Sequence, residues 1–545
     1  MFPGSIPDII PALGSRQPQW EERHSSMIVA GGPASLHLSV EVAVAKAKAA
    51  PKGKHMRHLL AQKPMDWLAH ESSEEGEHTL QRVLGPWSLT ALGIGAIIGA
   101  GIFVLTGVAA YQNAGPAVIL SFIVAGIACA FAALCYAEFA SLIPIAGSAY
   151  TYGYATLGEL FAWIIGWDLI LEYALAASTV SVGWAGYFVS LLSHFGIAVP
   201  ASMSTSTYVL NAKGDLENTG AVNLVALAVL LVISSILAIG IRESATMNTI
   251  IVILKVGIVL LFIAVGVWYV KPENWQPFLP PNDGEFGHYG WSGVLRGAGL
   301  VFFAYIGFDA VSTAAQETKN PKRDLPIGIL ASLVVCTILY ILVSGVLTGL
   351  VSYTELGVAH PISVGIQATP FPWLGPIVDL GAVLGLGSVM LVMLLGQSRV
   401  FYAMSKDGLL PGIFSKIHPR FRTPFVPTLL TGVVVAIPAA LLPISVLGHM
   451  VNIGTLLAFA IVSGSVIVLR VRRPDLERPF RAPGYPWVPV CGVLSSVALM
   501  TFLPVETWER LGIWLALGLL VYAFYGRKHS RVRAHRTAAV SAPSR

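Results

Sequence analysis

Blocks of about twenty apolar residues recur along most of this 545-residue chain. A helix of that length crosses the hydrocarbon core of a bilayer, which is about 30 Å thick. Only 12% of the residues are charged, about half the share that a soluble protein of this size carries. Backbone in lipid must satisfy its own hydrogen bonds, and no alternating β-barrel pattern is present, so the blocks predict membrane-spanning helices.

Twelve such blocks are predicted, which makes the fold class an all-α polytopic membrane protein. Residues 1–78 mix Pro, Gly, Ala, Lys and His without an apolar block long enough to span. They predict a disordered cytoplasmic N-terminal extension. Residues 79–526 then form the transmembrane domain, and residues 527–545 form a basic cytoplasmic tail.

Lysine and arginine are distributed unevenly among the predicted loops. If the N-terminus is cytoplasmic, the outside loops hold only Lys213, Lys271 and Arg510, and the inside loops and the tail hold the rest of the loop cations. Cytoplasmic loops carry such an excess. The sequence therefore predicts a multi-pass protein of the cell membrane with both termini cytoplasmic. Its net charge of +5 fits an anionic lipid leaflet, and nothing points to nucleic acid.

Glycines crowd the middle of the first block, "LTALGIGAIIGAGIFVLTGVAA", at Gly93, Gly95, Gly99 and Gly101. They favour either close packing between helices or an unwound segment near residues 97–101. An unwound segment exposes backbone N–H groups at the start of a new half-helix, and that positive end suits a carboxylate.

The sixth block, "GAGLVFFAYIGFDAVSTAAQETKNPKRD", has a second interruption around residues 303–307. The two interrupted blocks lie five helices apart. Five-plus-five inverted repeats with broken first helices are a known transporter design, with the substrate held at the midplane.

Five segments together resemble the amino acid–polyamine–organocation (APC) superfamily, and within it the bacterial cationic amino acid transporter (CAT) family. They are "ALGIGAIIGAGIFVLTG", "EFASLIPIAGSAYTYGYATLGE", "FFAYIGFDAVSTAAQETKNPKRDLPIGI", "LGQSRVFYAMSKDGLLP" and "VNIGTLLAF". The resemblance covers residues 79–526. It implies a LeuT-type fold, with ten core helices in two inverted halves, helices one and six broken, and two peripheral helices. It also implies uptake of amino acids across the cytoplasmic membrane.

The resemblance implies that the substrate binds at the two breaks. The α-carboxylate would meet the backbone of Gly99, Ala100 and Gly101. Many relatives have Ser or Thr where this chain has Ala100, so a hydroxyl contact is missing here. That departure bears on substrate affinity and side-chain preference.

At the second break, the resemblance places the substrate amine on carbonyls around Phe303, Ala304 and Ile306. Phe303 would close over the substrate, and Ile97 would touch its side chain. Asp309 has two readings: it pairs with a cationic substrate side chain, or it caps the second half-helix.

Lys255 is the one charge in the apolar stretch "NTIIVILKVGIVLLFIAVGVW". A lysine at the centre of a membrane helix costs about 2.5–3.5 kcal/mol on insertion scales. It is therefore either half of a structural ion pair or a group that titrates during transport. In proton-coupled relatives a lysine on this helix replaces a sodium ion, and it bridges the broken first helix to the eighth. The resemblance gives that place to Lys255.

Two carboxylates follow each other at i and i+4 on the third helix, Asp168 and Glu172. Glu172 matches an acidic position near the binding site of the family, which implies a part in proton coupling. Asp168 is either functional or a solvated cap near a helix end. Glu138 and Arg399 are a candidate gate pair at the cytoplasmic side.

These features predict an amino acid permease that works by proton symport with alternating access. The alternative is an exchanger of amino acids or amines without net proton flow. The sequence contains no P-loop, no GxSxG motif and no dinucleotide fingerprint, so we predict neither an enzyme nor a cofactor. The four cysteines have no metal spacing.

The substrate is less well defined. Asp309 and Glu172 permit a cationic amino acid, whereas Ile97, Phe303 and Ile306 fit an aliphatic side chain. The prediction leans towards broad or neutral amino acids. The partners are the amino acid, protons and membrane lipid; the oligomeric state stays open, with a monomer the simplest case.

Overall fold

The computed structural model describes residues 61–63, 82–144, 148–210, 216–240, 245–421 and 423–534. All of them belong to one compact unit, His58–Arg545. The predicted N-terminal extension therefore lies outside the described residues, except for Ala61–Lys63. The predicted basic tail is described as far as residue 534.

The described chain is mostly α-helical. Its first nine helices are α1 Pro86–Ile97, α2 Thr106–Ala109, α3 Val118–Leu142, α4 Ser148–Thr156, α5 Glu159–His194, α6 Ala201–Ser204, α7 Leu224–Ile239, α8 Ala245–Gly266 and α9 Gly290–Val301. The others are α10 Ala310–Thr313, α11 Pro321–Leu350, α12 Pro361–Gln367, α13 Gly375–Lys406, α14 Phe425–Leu441, α15 Ile444–Arg472, α16 Trp487–Thr501, α17 Val505–Val521 and α18 Arg527–His529. Two short antiparallel strands, β1 Tyr208–Leu210 and β2 Leu216–Asn218, pair between α6 and α7.

Within the described residues, seven helical runs are long and apolar enough to cross a membrane. The bent pair of α16 and α17 makes an eighth if it counts as one span. Three shorter apolar helices, α1, α7 and α14, accompany them. These findings confirm a mostly helical polytopic membrane protein. The number of twelve spans and their inverted repeat stay predictions.

Helix α5, with 36 residues, is the longest helix in the described part of the chain, and most of its surface is buried. It packs against α13, α15 and α4. Serine and threonine hydroxyls on its buried surface donate to carbonyls one turn back, such as Thr179 Oγ1 to Leu175 O at 2.7 Å. These polar side chains are thereby satisfied without water, and α5 carries Asp168, Glu172 and Val180 into the interior.

Residues near both ends of the described chain meet at one end of the helical body. The N–H of Lys63 donates to Tyr154 O in α4 at 3.2 Å, and the N–H of Glu159 donates to Ala61 O at 2.9 Å. The Lys63 ammonium contacts Asp407 Oδ1 at 3.1 Å. Ala61–Lys63 are thus folded against the body, although the sequence predicts disorder for this stretch. The composition of residues 1–78 cannot show that Lys63 contacts the half-buried carboxylate of Asp407.

The tail contacts the same end of the helical body, through Ser530, Arg531 and Arg533. Arg533 Nε lies 2.8 Å from Glu159 Oε1, and the hydroxyl of Ser530 donates to the same carboxylate. The N–H of Arg531 donates to the carbonyl of Asp407 at 3.1 Å. Glu159 is fully buried at the start of α5. Its negative charge is stabilised by the arginine and by the positive end of the helix dipole.

Candidate functional site

The first break follows α1. The helix ends at Ile97, Ile98 has an extended backbone with ψ of 100°, and a π-helical turn begins at Gly101. The first N–H groups of a new helical segment have no partner within it. The break therefore presents donors where the glycines of the sequence predict them.

The second break follows α9. A 3-10 turn covers Phe302–Tyr305, and Ile306 is extended with ψ of 131°. Gly307 then adopts φ of +124°, a region that side chains disfavour, and α10 begins at Ala310.

The two breaks touch each other through glycine. A Cβ on Gly101 would lie 2.3 Å from Cα of Ala304, and one on Gly307 would lie 2.8 Å from the carbonyl carbon of Ala96. A Cβ on Gly93 would lie 2.5 Å from the hydroxyl of Ser332 in α11. The two readings of the glycine cluster therefore both apply, because the helix packs closely and also unwinds.

Two polar side chains from other helices support the breaks. The hydroxyl of Tyr340 in α11 lies 2.9 Å from Ile97 O and 2.7 Å from Ala304 O, so it bridges both breaks. The amide of Asn452 in α15 donates to Gly299 O and Leu300 O at 2.7 and 2.9 Å. Carbonyls at the end of a helix lack intrahelical donors, and these side chains supply them.

A small cavity lies between the breaks, α5 and α13. Five of the eight predicted substrate residues line it: Ile97, Gly99, Ala100, Phe303 and Ile306. Gly101 and Ala304 pack against each other instead. The other lining residues are Ala96, Val180, Val389 and Met393. No charged side chain lines this cavity in the part of the chain that is described.

Asp309 is buried beside the second break rather than in the cavity lining. It occupies the N-cap position of α10, and its Oδ1 accepts the N–H of Gly307 at 3.3 Å. Its side chain makes no capping bond to the N–H groups of α10, and the bond to Gly307 runs back into the break instead. Asp309 stabilises the backbone of the break from within.

Lys255 is fully buried in α8. Its ammonium donates to Gly95 O at 2.8 Å and to Ile98 O at 3.3 Å, both at the end of α1. Its side chain passes so close to Gly385 of α13 that a Cβ there would lie 3.1 Å from Lys255 Cγ. The lysine thus occupies the space between α8, the first break and α13, and its part in proton coupling stays a prediction.

Three further acidic residues singled out in the sequence, Glu138, Asp168 and Glu172, are all buried. Glu172 is buried, and Asp168 is fully buried, so the solvated cap predicted as one reading of Asp168 is wrong. Glu138 does not form the expected gate pair with Arg399. Its carboxylate instead accepts Arg470 Nε at 3.0 Å and the N–H of Ala482 at 2.8 Å.

Comparison with known proteins identifies the family. Residues 84–523 match the family model described as amino acid permease. The chain belongs to the amino acid permease family. The permease is 52% identical over 463 residues, 85% of this chain and 96% of the relative, to the branched-chain amino acid permease BcaP of Bacillus subtilis (strain 168). It is 48% identical over 476 residues, 87% of this chain and 99% of the relative, to a methylthioribose transporter of the same organism.

A more distant relative is the vacuolar cationic amino acid transporter 4 of Arabidopsis thaliana, 39% identical over 77% of this chain and 68% of the relative. The resemblance to the APC superfamily is confirmed, and so is the prediction of a transporter rather than an enzyme.

Sequence reasoning missed six residues in or beside this cavity: Tyr340, Asn452, Ala96, Val180, Val389 and Met393. The four apolar ones sit in apolar blocks and carry no local signal. Tyr340 and Asn452 carry one, because a hydroxyl or amide in an apolar block needs a partner.

We expect Tyr340→Phe to weaken substrate binding about tenfold. The hydroxyl has one proton and donates to one of the two carbonyls at a time; its loss leaves a buried carbonyl without a donor, which costs about 1–3 kcal/mol, and the two breaks lose their shared anchor. The substrate Kd from thermal-shift titration measures the effect. Tyr305→Phe is the matched control. The hydroxyl of Tyr305 donates to Phe122 O over a distance of 2.7 Å, and neither residue lines the cavity. Equal weakening in both variants would contradict the bridging role.

Proposed function

We propose that this permease imports amino acids with neutral, aliphatic side chains across the cell membrane, driven by symport with protons. The observation that carries the proposal is the fully buried ammonium of Lys255 on the carbonyls of the first break. The charge of Lys255 therefore acts directly on the backbone that the substrate is expected to meet.

The lining of the cavity supports the substrate class. Val180, Val389 and Met393 face the two breaks, and none of them can pair with a charged substrate side chain. Moving a cation into such surroundings without a partner is costly, whereas an aliphatic side chain gains about 25 cal/mol for each Å² it buries. The name of the branched-chain amino acid permease of Bacillus subtilis agrees with this choice.

Lys255 supplies a coupling mechanism. While protonated, its ammonium holds the carbonyls of Gly95 and Ile98. After losing its proton, the amine keeps one lone pair and no charge, so its hold on two carbonyls weakens. The end of α1 can then rearrange against α13, which opens the cavity towards one side. Glu172 on the neighbouring α5 is the second proton-binding group of this proposal.

The proposal includes twelve spans of LeuT type, with both termini cytoplasmic. The lysine and arginine bias of the loops supports this orientation. The meeting of Lys63 and Arg531 with Asp407 at one end of the body supports an even number of crossings between them. Alternating access would then proceed through movement at the two breaks.

The test is uptake of labelled leucine, alanine and arginine into proteoliposomes, with and without an inward proton gradient. We expect the gradient to drive accumulation of leucine and alanine, and Lys255→Met to lower it at least about tenfold while exchange persists. Tenfold corresponds to about 1.4 kcal/mol. Lys271→Met is the control, because Lys271 is an exposed lysine.

Each part of the proposal has its own contrary outcome. Uptake that ignores the gradient and requires internal amino acid would make the permease an exchanger, with Lys255 a structural cation. Preferential uptake of arginine would overturn the neutral substrate class. Competition by methylthioribose but not by leucine would move the substrate towards that of the second relative.

A further inference from the structure

Asp168 is a buried acid that has no part in the proton coupling proposed for Lys255 and Glu172. It is fully buried in α5, and neither carboxyl oxygen has a hydrogen-bond partner among the described residues. Oε1 of Glu172, one turn further along, also lacks a partner among them. Nearly all buried polar atoms in proteins are hydrogen-bonded, so three unpartnered oxygens on one helix face require an explanation.

The groups closest to this pair among the described residues are neutral or acidic, and Arg399 lies near Tyr173, the residue after Glu172. On α15 the facing residues are Gly454, whose added Cβ would lie 3.9 Å from Asp168 Cβ, and Thr455 beside Glu172. Asp309 is the acid on the other side of Glu172. In the described chain neither Asp168 nor Glu172 forms an ion pair within 4.0 Å.

Two ionised carboxylates cannot persist here. Their Cβ atoms are about 5–6 Å apart on the helix surface, and each ion loses its hydration without gaining a cation. Like charges that share a site keep at least one proton between them. The pair therefore holds a proton that neither residue needs for a structural contact in the described chain.

The order of groups along α5 gives that proton a direction. Val180 lines the cavity, Glu172 lies about 12 Å from it along the helix axis, and Asp168 lies about 6 Å beyond. A further distance of about 13 Å leads to Glu159, at the end that Ala61–Lys63 and the tail close. Asp168 thus stands between the cavity and that end of the body.

We propose that Asp168 is a further proton-binding residue of the permease, beside Lys255 and Glu172, and that it exchanges a proton with Glu172 during transport. The proton leaves the Glu172 carboxyl and forms an O–H bond on the Asp168 carboxylate. Glu172, now a carboxylate, takes the next proton from the cavity side before Asp168 releases its own proton to water at the Glu159 end, so at least one of the two acids is always protonated. The transport part of this inference rests on the proposed proton symport; the shared proton does not.

Infrared spectroscopy of the purified permease at neutral pH tests the shared proton without transport. We expect a protonated-carboxyl band that shifts in ²H₂O and disappears in Asp168→Asn/Glu172→Gln. Asp283→Asn is the control, because Asp283 is exposed and pairs with His288. A band that is unchanged in the double variant would overturn the inference.

Transport assays test the role of Asp168 itself. We expect Asp168→Asn, which keeps the shape but cannot exchange a proton, to lower proton-driven accumulation at least tenfold while counterflow exchange is retained. Asp168→Glu should restore part of the accumulation, which a purely structural role would not predict. Accumulation at the wild-type level in Asp168→Asn would refute the role. Wild-type uptake that ignores the gradient would instead refute the proposed symport, and the infrared result would still decide the shared proton.

Discussion

Gly101→Ala is expected to abolish transport. The new methyl carbon would lie 2.3 Å from both Cα and Cβ of Ala304 and 3.0 Å from its backbone nitrogen. Backbone atoms cannot move aside as a flexible side chain can, so the two breaks must separate. A displacement of about 1 Å at a reacting site lowers rates about a hundredfold. We expect at least that loss in leucine uptake by proteoliposomes.

Gly257→Ala is the matched control for this prediction. Gly257 lies in α8, is exposed on the helix surface, and an added Cβ meets no atom within 4 Å. Alanine is favoured over glycine in a helix by about 1 kcal/mol, so this variant should transport normally and unfold at an equal or higher temperature. Near-normal uptake by Gly101→Ala would show that the contact between the breaks is not needed for transport.

Among substitutions at the Glu159 end of the body, Arg533→Ala is expected to lower the free energy of unfolding most. It removes the cation beside Glu159, which stays fully buried with only neutral donors such as the hydroxyl of Tyr522 at 2.8 Å. Removal of one partner of a buried ion pair costs about 3–5 kcal/mol. Because Arg533 is partly exposed, we expect about 3 kcal/mol, measured as a lower unfolding temperature in detergent.

Two further variants separate the ion pair from the charge of the tail. Arg531→Ala removes the same charge from an exposed side chain, and its backbone bond to Asp407 remains. This variant should unfold near the wild-type temperature. Addition of Glu159→Gln to Arg533→Ala should recover part of the loss, because it removes the unpaired charge. Equal destabilisation by the two arginine variants would argue against a specific pair.

Much of the helical architecture follows from local sequence. Apolar blocks need internal hydrogen bonding in lipid, so their helices are predicted before any tertiary contact is known. The clustered glycines of the first block and the Phe303–Gly307 stretch also mark where α1 and α9 end. In both cases the signal lies within a few residues of the feature.

The remaining contacts depend on residues far apart in the chain. Tyr340 reaches Ile97 across 243 positions, and nothing near either residue announces the other. Glu138 pairs with Arg470 rather than Arg399 because the packing of α15 against α3, not the charge pattern, decides which arginine is close. Asp168 looks like a solvated cap in sequence because nothing near it shows that α15 packs against α5 at this point and that the side chain is buried.

The contact between Glu159 and the tail also has a consequence in time. The ribosome makes Glu159 long before Ser530, which follows it by 371 positions. At about 5–20 residues per second, Ser530 is made roughly 20–70 s after Glu159. Every helix from α5 to α17 is made first, so a nascent or truncated chain carries Glu159 at the start of α5 without the cation of Arg533. Ser530 and Arg533, which are made after every helix from α5 to α17, thus complete this end of the protein.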